Sequence, residues 1–321
     1  MNIQPVSLVI PTYNRADLIS ETIESALGQT TKFSEIVVVD DGSTDNTAEI
    51  LEKYKGKISV ERTSNSGVQH ARNRGVELAH NELVVLCDSD DLLRKNYLEV
   101  TASWMAKHTD QDILYANFQT FDSNGEHADK LSQCPFDFLD EADLEKCISY
   151  NIPNLLIKSI RFQALFSSGV MFRKSFYQKL KGYNPEFNRV GAEDWDFTLR
   201  AITTGNVAVS RLPLTLIRRH PGNDSKNNTH MKMGEALILE KLLEQTRPPP
   251  AIAAEICQSI NERKRSAFSS AFSDGNFALL HSLYRQMTSF RAPTANERMK
   301  YVISRLPAPI GKKIWQLSQR I

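Results

Sequence analysis

The sequence predicts an α/β fold: a doubly wound, mainly parallel sheet with helices on both faces, followed by a smaller helical region. Three observations carry this. Residues 6–10, 36–39 and 83–87 are short apolar runs with no polar alternation, as expected of strands buried on both faces. Segments with apolar residues at helical spacing follow such runs, so strand and helix alternate throughout residues 6–107. Each of the three runs ends abruptly in polar residues, and a parallel sheet gathers such ends along one edge.

In chain order, the strand at 6–10 stops at Pro11. The helix at 17–29 carries Ile19, Ile23, Ala26 and Leu27 on one stripe and ends near Gly28. The strand at 36–39 runs into Asp40-Asp41-Gly42-Ser43-Thr44-Asp45, whose last three residues offer caps for a helix reaching Tyr54. A strand at 58–62 and a helix at 67–79 come next. Gly75, inside that helix, costs roughly 1 kcal/mol relative to Ala, which points to close packing. The strand at 83–87 leads into Asp88-Ser89-Asp90-Asp91, and a helix spans 97–107. Residues 113–121 read as a strand and 122–125 as a hairpin turn; 126–158 show no period. A short strand at 167–172, a helix at 174–180, a helix opening at 191–197 and a strand at 207–216 complete this part. In the penultimate of these, Trp195, Leu199 and Ile202 share a face. Beyond Thr229 the pattern is helical, broken by Arg247-Pro248-Pro249-Pro250. The expected division is 1–228, with a donor half to about 121 and an acceptor half after it, and 229–321.

Composition is that of an ordinary globular protein, 41% hydrophobic and 24% charged over 321 residues. A formal net charge of +1 gives no field that would gather nucleic acid. The four cysteines, Cys87, Cys134, Cys147 and Cys257, have no metal-ligand spacing and read as free thiols in a reducing compartment. With a strand reached almost at once and no leader-like run, a cytoplasmic location is the expectation.

The candidate chemistry lies at the strand ends. Asp88, Asp90 and Asp91 are costly to bury unpaired, so they belong in water or against a cation, and a hard divalent ion suits them. A solvated, capped turn is the plain alternative. Tyr13 is placed to stack a base or to end the core, and Asp40 to accept from an imide N–H or to cap a turn. Arg72 and Arg74, near a helix start, suit an anion. Neither a P-loop nor a Gly-x-Gly-x-x-Gly motif is present. Glu193 and Asp194 open a helix in which Asp196 and Arg200 are spaced for an ion pair; Asp194 is the candidate base. Arg218, Arg219 and His220 close the last strand, with His220 a candidate for metal or diphosphate. His70 and His80 read as surface or packing residues.

The ordered combination of Pro11-Thr-Tyr-Asn-Arg15, 39–45, 67–75, Asp88–Asp91 and Glu193-Asp194 resembles family-2 glycosyltransferases of the GT-A fold, the bacterial surface-glycan type, over roughly residues 5–225. The resemblance implies a nucleotide-diphospho-sugar donor (UDP-linked is the expectation), a glycan or lipid-linked glycan acceptor, a divalent cation (Mn2+ or Mg2+) and inversion. It implies that Pro11, Tyr13, Arg15, Asp40, Asp41, Arg72, Asp88 and Ser89 hold the donor, and that Asp90, Asp88 and His220 hold the metal. Glu193, Arg219 and His220 would meet acceptor or diphosphate, with Asp194 as the base. The Gln-x-x-Arg-Trp motif of processive synthases is absent, which favours single-sugar addition. The rivals are a nucleotide-sugar-binding protein without transfer, which the intact acids weigh against, and a sugar nucleotidyltransferase, which would need a Gly-rich basic loop where Pro11–Arg15 stands. The basic segment 298–321, with interspersed apolar residues, suits a membrane surface, helix packing or a homo-oligomer contact.

Overall fold

The structure, a computed structural model, describes residues 4–220, 228–287 and 292–318. Residues 221–225, the end of the expected cationic run, and 319–321 of the basic segment lie outside the described residues. The chain forms two compact units, one of Met1–Arg189 with Asp194–Asn223 and one of Val190–Glu193 with Asp224–Ile321.

In the first unit the expected alternation is present: β1 (Val6–Thr12), α1 (Ile19–Leu27), β2 (Glu35–Asp40), α2 (Thr47–Glu52), β3 (Ser59–Arg62), α3 (Val68–Leu78) and β4 (Leu83–Leu86). A two-residue β5 (Leu92–Leu93) precedes α4 (Tyr97–Met105) and β6 (Ile113–Asp122). The stretch without sequence period holds β7 (Gly125–Asp129), β8 (Asp143–Glu145), β9 (Ile148–Tyr150) and α5 (Leu155–Arg161). Its elements are too short for a period to show. β10 (Val170–Arg173), α6 (Lys174–Lys179), α7 (Glu193–Thr204) and β11 (Val207–Arg218) follow.

The strands pair in the order β3-β2-β1-β4-β10-β6-β11-β9-β8. β3, β2, β1 and β4 are mutually parallel, and β6 is parallel to β11. β10 lies between β4 and β6 and is antiparallel to both. Side chains alternate between two cores, as the period of two requires. Val9, Val37, Val39, Val84 and Leu86 face the core that α3 covers. Leu8, Ile10, Ile36, Val38, Leu83 and Val85 face the other, with Ile19 and Ile23 of α1 and Leu98 and Ala102 of α4. Helices therefore cover both faces. At Gly75 of α3 an added Cβ would stand 2.2 Å from Val9 Cγ1 and 3.3 Å from Val39 Cγ2, the close approach its sequence position implied.

The second unit contains α8 (Asn228–Thr246), α9 (Pro250–Ser273), α10 (Phe277–Met287), α11 (Ala295–Arg305) and α12 (Ala308–Ser318). Pro250 opens α9, where its missing N–H is harmless, so the proline run separates two helices as expected. Phe268, Phe272, Leu280, Leu283, Met287 and Ile303 form its core. No described helix is long and apolar enough to cross a membrane.

Candidate active site

The strand order reverses at β1, with β2 on one side and β4 on the other. In open α/β sheets ligands bind outside the carboxyl ends of strands at such a reversal. The ends that meet there bring Thr12–Arg15 from β1, Asp40 and Asp41 from β2 and Asp88–Asp91 from beyond β4. Because β10 runs antiparallel to β4, its entry residues Ser167 and Ser168 arrive at the same edge.

The first two loops are clipped together. Asn14, at φ 50°, accepts from Thr44 N at 2.7 Å through Oδ1 and donates its own N–H to Ser43 Oγ at 2.9 Å. Ala16 N donates to Asp45 Oδ2 and Thr47 N to Asp45 Oδ1. Burial works against charge on Asp45, but these bonds and that of the Thr47 hydroxyl outweigh it and hold the carboxyl below its ordinary range. Tyr13, between the clips, is 42% exposed, so its ring is a surface feature and not the end of the core.

Asp41 is engaged by the chain itself. It accepts from Ser66 N at 2.9 Å and Gly67 N at 2.7 Å, so it fills the α3 N-terminus that the sequence offered as an anion site. Arg74 also leaves the site, pairing with Glu61 and Glu77. Arg72 is buried and places Nη2 2.8 and 3.0 Å from the two Asp88 oxygens and 3.3 Å from Ser167 Oγ, above the Tyr183 ring. Burial alone would lower its pKa; the Asp88 carboxylate more than reverses this, and Asp194 adds to the field. Asn73, the next residue, accepts from Tyr177 Oη and Tyr183 N and donates to Tyr183 O, fixing the turn that carries Tyr183. In that turn Gly182 is at φ 64°, and a Cβ would meet Asn73 Oδ1 at 2.4 Å.

Asp90 Oδ2 lies 3.0 Å from His220 Nε2 and 3.3 Å from Arg15 Nε. Buried Asp91 accepts from Arg218 N at 2.9 Å. Its burial, then the neighbouring Asp90 and Asp88 carboxylates, push its carboxyl well above the ordinary range. The acid cluster thus sits among the chain's own cations, with Ser89 buried within it. Arg219 is exposed and held by its backbone N–H on Phe121 O. Glu193 and Asp194 are half-buried at the start of α7. Thr198 donates to Asp194 O and accepts from Tyr115 Oη, which ties that turn to β6. Asp196 pairs with Arg200 at 2.7 Å, as its spacing implied, and the guanidinium also caps Leu180 O and Gly182 O.

Two features suit a ligand. Among the described residues, Thr12 Oγ1, Asp40 Oδ2, both ends of the Gln69 amide and Arg72 Nε are buried without a hydrogen-bond partner; the guanidinium of Arg62 approaches Asp40 Oδ2 only to 3.7 Å. Buried polar groups are nearly always bonded, so four residues with such atoms near one sheet edge are notable. As for a metal, no group of three or more His, Cys, Asp or Glu comes together among the described residues. Asp90 and His220 do come together, a carboxylate and an imidazole that fit a divalent ion whose other ligands are phosphate and water. Asp88, engaged by Arg72, does not join them here.

Asn73, Ser167, Ser168 and Tyr183 were missed by sequence reasoning. The Ala-Arg-Asn run and the Ser-Ser-Gly before β10 were visible; the antiparallel direction that makes them neighbours was not.

Comparison with known proteins bears on the family and the fold. Residues 7–180 match the family model for Glycosyl transferase family 2, and 155–221 match that described as the N-terminal domain of galactosyltransferase. Among curated relatives, glycosyltransferase GlyG of Streptococcus pneumoniae is 33% identical over 123 residues, 37% of this chain and 40% of GlyG. The poly(ribitol-phosphate) beta-N-acetylglucosaminyltransferase TarS of Staphylococcus aureus is 29% identical over 207 residues, 62% of this chain and 33% of TarS. The chain thus spans well under two thirds of the length of either relative. A crystal structure of S. aureus TarS 1–349 in complex with UDP superposes with a TM-score of 0.57 at 25% identity, covering 84% of this chain and 74% of that one. With the family model matched over more than half its length, the chain belongs to Glycosyl transferase family 2.

Proposed function

We propose that this chain moves one hexosyl or N-acetylhexosaminyl group from a UDP-linked donor to a hydroxyl of a glycan or lipid-linked glycan, with inversion and a divalent cation, in the making of a bacterial surface polysaccharide. The observation that carries the donor is Asp40 Oδ2, a buried carboxylate oxygen with no hydrogen-bond partner among the described residues. A carboxylate can only accept. Uracil offers an imide N–H at the centre of its pairing edge, where cytosine has an unprotonated N3 that a carboxylate repels, its donor being the neighbouring amino group. Tyr13 stacks the base from its exposed position, and Arg72 steadies Asp88 against the ribose.

Asp90 and His220 would hold the cation, which when bound would supply Lewis-acid neutralisation of charge on the diphosphate. Arg15, beside Asp90, adds a fixed positive charge at the same place. Asp194 takes the proton of the attacking hydroxyl, and one displacement with one base inverts the anomeric centre. Residues 1–121 serve the donor and 122–228 the acceptor on this reading. The name of TarS, a poly(ribitol-phosphate) beta-N-acetylglucosaminyltransferase, supports sugar transfer onto a polymer.

The test is donor hydrolysis and nucleotide binding in the presence of manganese. UDP should bind at least tenfold more tightly than CDP, and Asp40→Ala should erase that difference. A UDP-sugar should release UDP slowly without acceptor. Equal affinity for UDP and CDP would remove Asp40 from base recognition. No release from any of a panel of nucleotide-sugars, with or without acceptor glycans, would leave a binding protein.

A further inference from the structure

The second unit carries a surface that the catalytic reading does not use. Met299 and Val302 on α11 and Ile310, Ile314 and Leu317 on α12 are each at least 38% exposed, and they make up half of the large exposed apolar side chains described. On α12 the three recur at i, i+4 and i+7, one stripe along a helix. The opposite side of α12 is already engaged: Trp315 donates to Phe272 O at 2.5 Å and meets Phe277 edge-on. α11 is likewise anchored by Ile303 in the core and by Tyr301 stacked on Tyr284 at 4.0 Å. The outward apolar residues are therefore surplus to the packing of the unit.

Charge decides what covers them. Residues 298–321 contain Arg298, Lys300, Arg305, Lys312, Lys313 and Arg320 and no acid. The acid just before them, Glu297, is turned to Arg265 and the Thr294 cap. A second copy docking through the same face would set one acid-free cationic segment against another, because a two-fold contact is self-complementary. An anionic lipid surface accepts both the apolar stripe and the flanking cations. We infer that α11 and α12 form a peripheral membrane-binding surface selective for anionic lipid, lying in the interface and not crossing it.

Co-sedimentation of the full chain with vesicles rich in phosphatidylglycerol, against pure phosphatidylcholine vesicles, tests this. Binding is expected to the first only, to fall on the order of tenfold or more in high salt, and to fall as far in Ile310→Ser/Ile314→Ser/Leu317→Ser. Arg298→Gln/Lys313→Gln should weaken binding to the anionic vesicles while leaving the thermal melt unchanged. Absence of binding to anionic vesicles, equal binding to both kinds, or a wild-type dimer that the serine variant dissociates in sedimentation would overturn the inference.

Discussion

Arg72 holds a guanidinium where solvent hardly reaches, and the Asp88 carboxylate offsets the cost of burying that charge. A buried ion pair of this kind is weak evidence for stability, and removing one partner strands the other at a cost of roughly 3–5 kcal/mol. Its value lies in orientation, since Arg72 holds the Asp88 carboxylate in one position at the strand end before any ligand arrives. Asp194 acts on this group through its field on Arg72, Tyr115 and Tyr183. As the proposed base it meets the acceptor hydroxyl and not the nucleotide, so its replacement separates chemistry from binding. Asp194→Asn should lower the transfer rate by about 10²–10⁴-fold, the usual worth of a general base, with the UDP dissociation constant unchanged. Steady-state transfer beside calorimetric UDP titration measures both, and near-normal transfer would take the base role from Asp194. At this scale the sequence made the acids, Tyr13 and Arg72 legible, because strand ends and helix starts are visible as breaks in an apolar pattern. It did not disclose that Asp41 accepts from Ser66 and Gly67, contacts across 25 and 26 residues. Asn73 and Tyr183 were unreadable for the same reason: their bonds span a gap of 110.

Among the elements, α3 bears most on the site, since it carries Arg72 and Asn73 and packs on β1 and β2. Its seat is set by Gly75, where backbone meets Val9 and Val39. Gly75→Ala gains about 1 kcal/mol of helix propensity but forces a methyl into that contact, an overpacking that costs about 1–3 kcal/mol. The net change should be destabilising. Urea denaturation of Gly75→Ala, Val9→Ala and the double variant forms a cycle, in which the double variant should lose less than the sum of the singles. Strict additivity would mean that Gly75 does not rest on Val9. The parallel strands and their helices were legible because short continuous apolar runs and amphipathic helices differ in pattern. β8 and β9, three residues each, were not, and nothing in β10 itself discloses its direction.

For the first unit as a whole, the site is assembled from positions 12 to 220, so it exists only in the folded chain. A ligand bound there stabilises the fold by mass action, by about 2.7 kcal/mol at a hundredfold excess over its Kd. The proposed cation has two protein ligands, Asp90 and His220, and depends on phosphate oxygens for others. Manganese alone should therefore raise Tm little, UDP alone modestly, and the two together by more than the sum of their separate shifts. Asp90→Ala should keep the UDP shift and lose the excess. The comparison must be of shifts and not of Tm itself, because removing one carboxylate from beside Asp91 changes the stability of the free protein as well. Scanning fluorimetry with UDP, manganese and a chelator, on wild type and Asp90→Ala, gives all the terms. A UDP shift in wild type that is the same with manganese and with chelator would mean that UDP binding does not draw on a cation at Asp90 and His220.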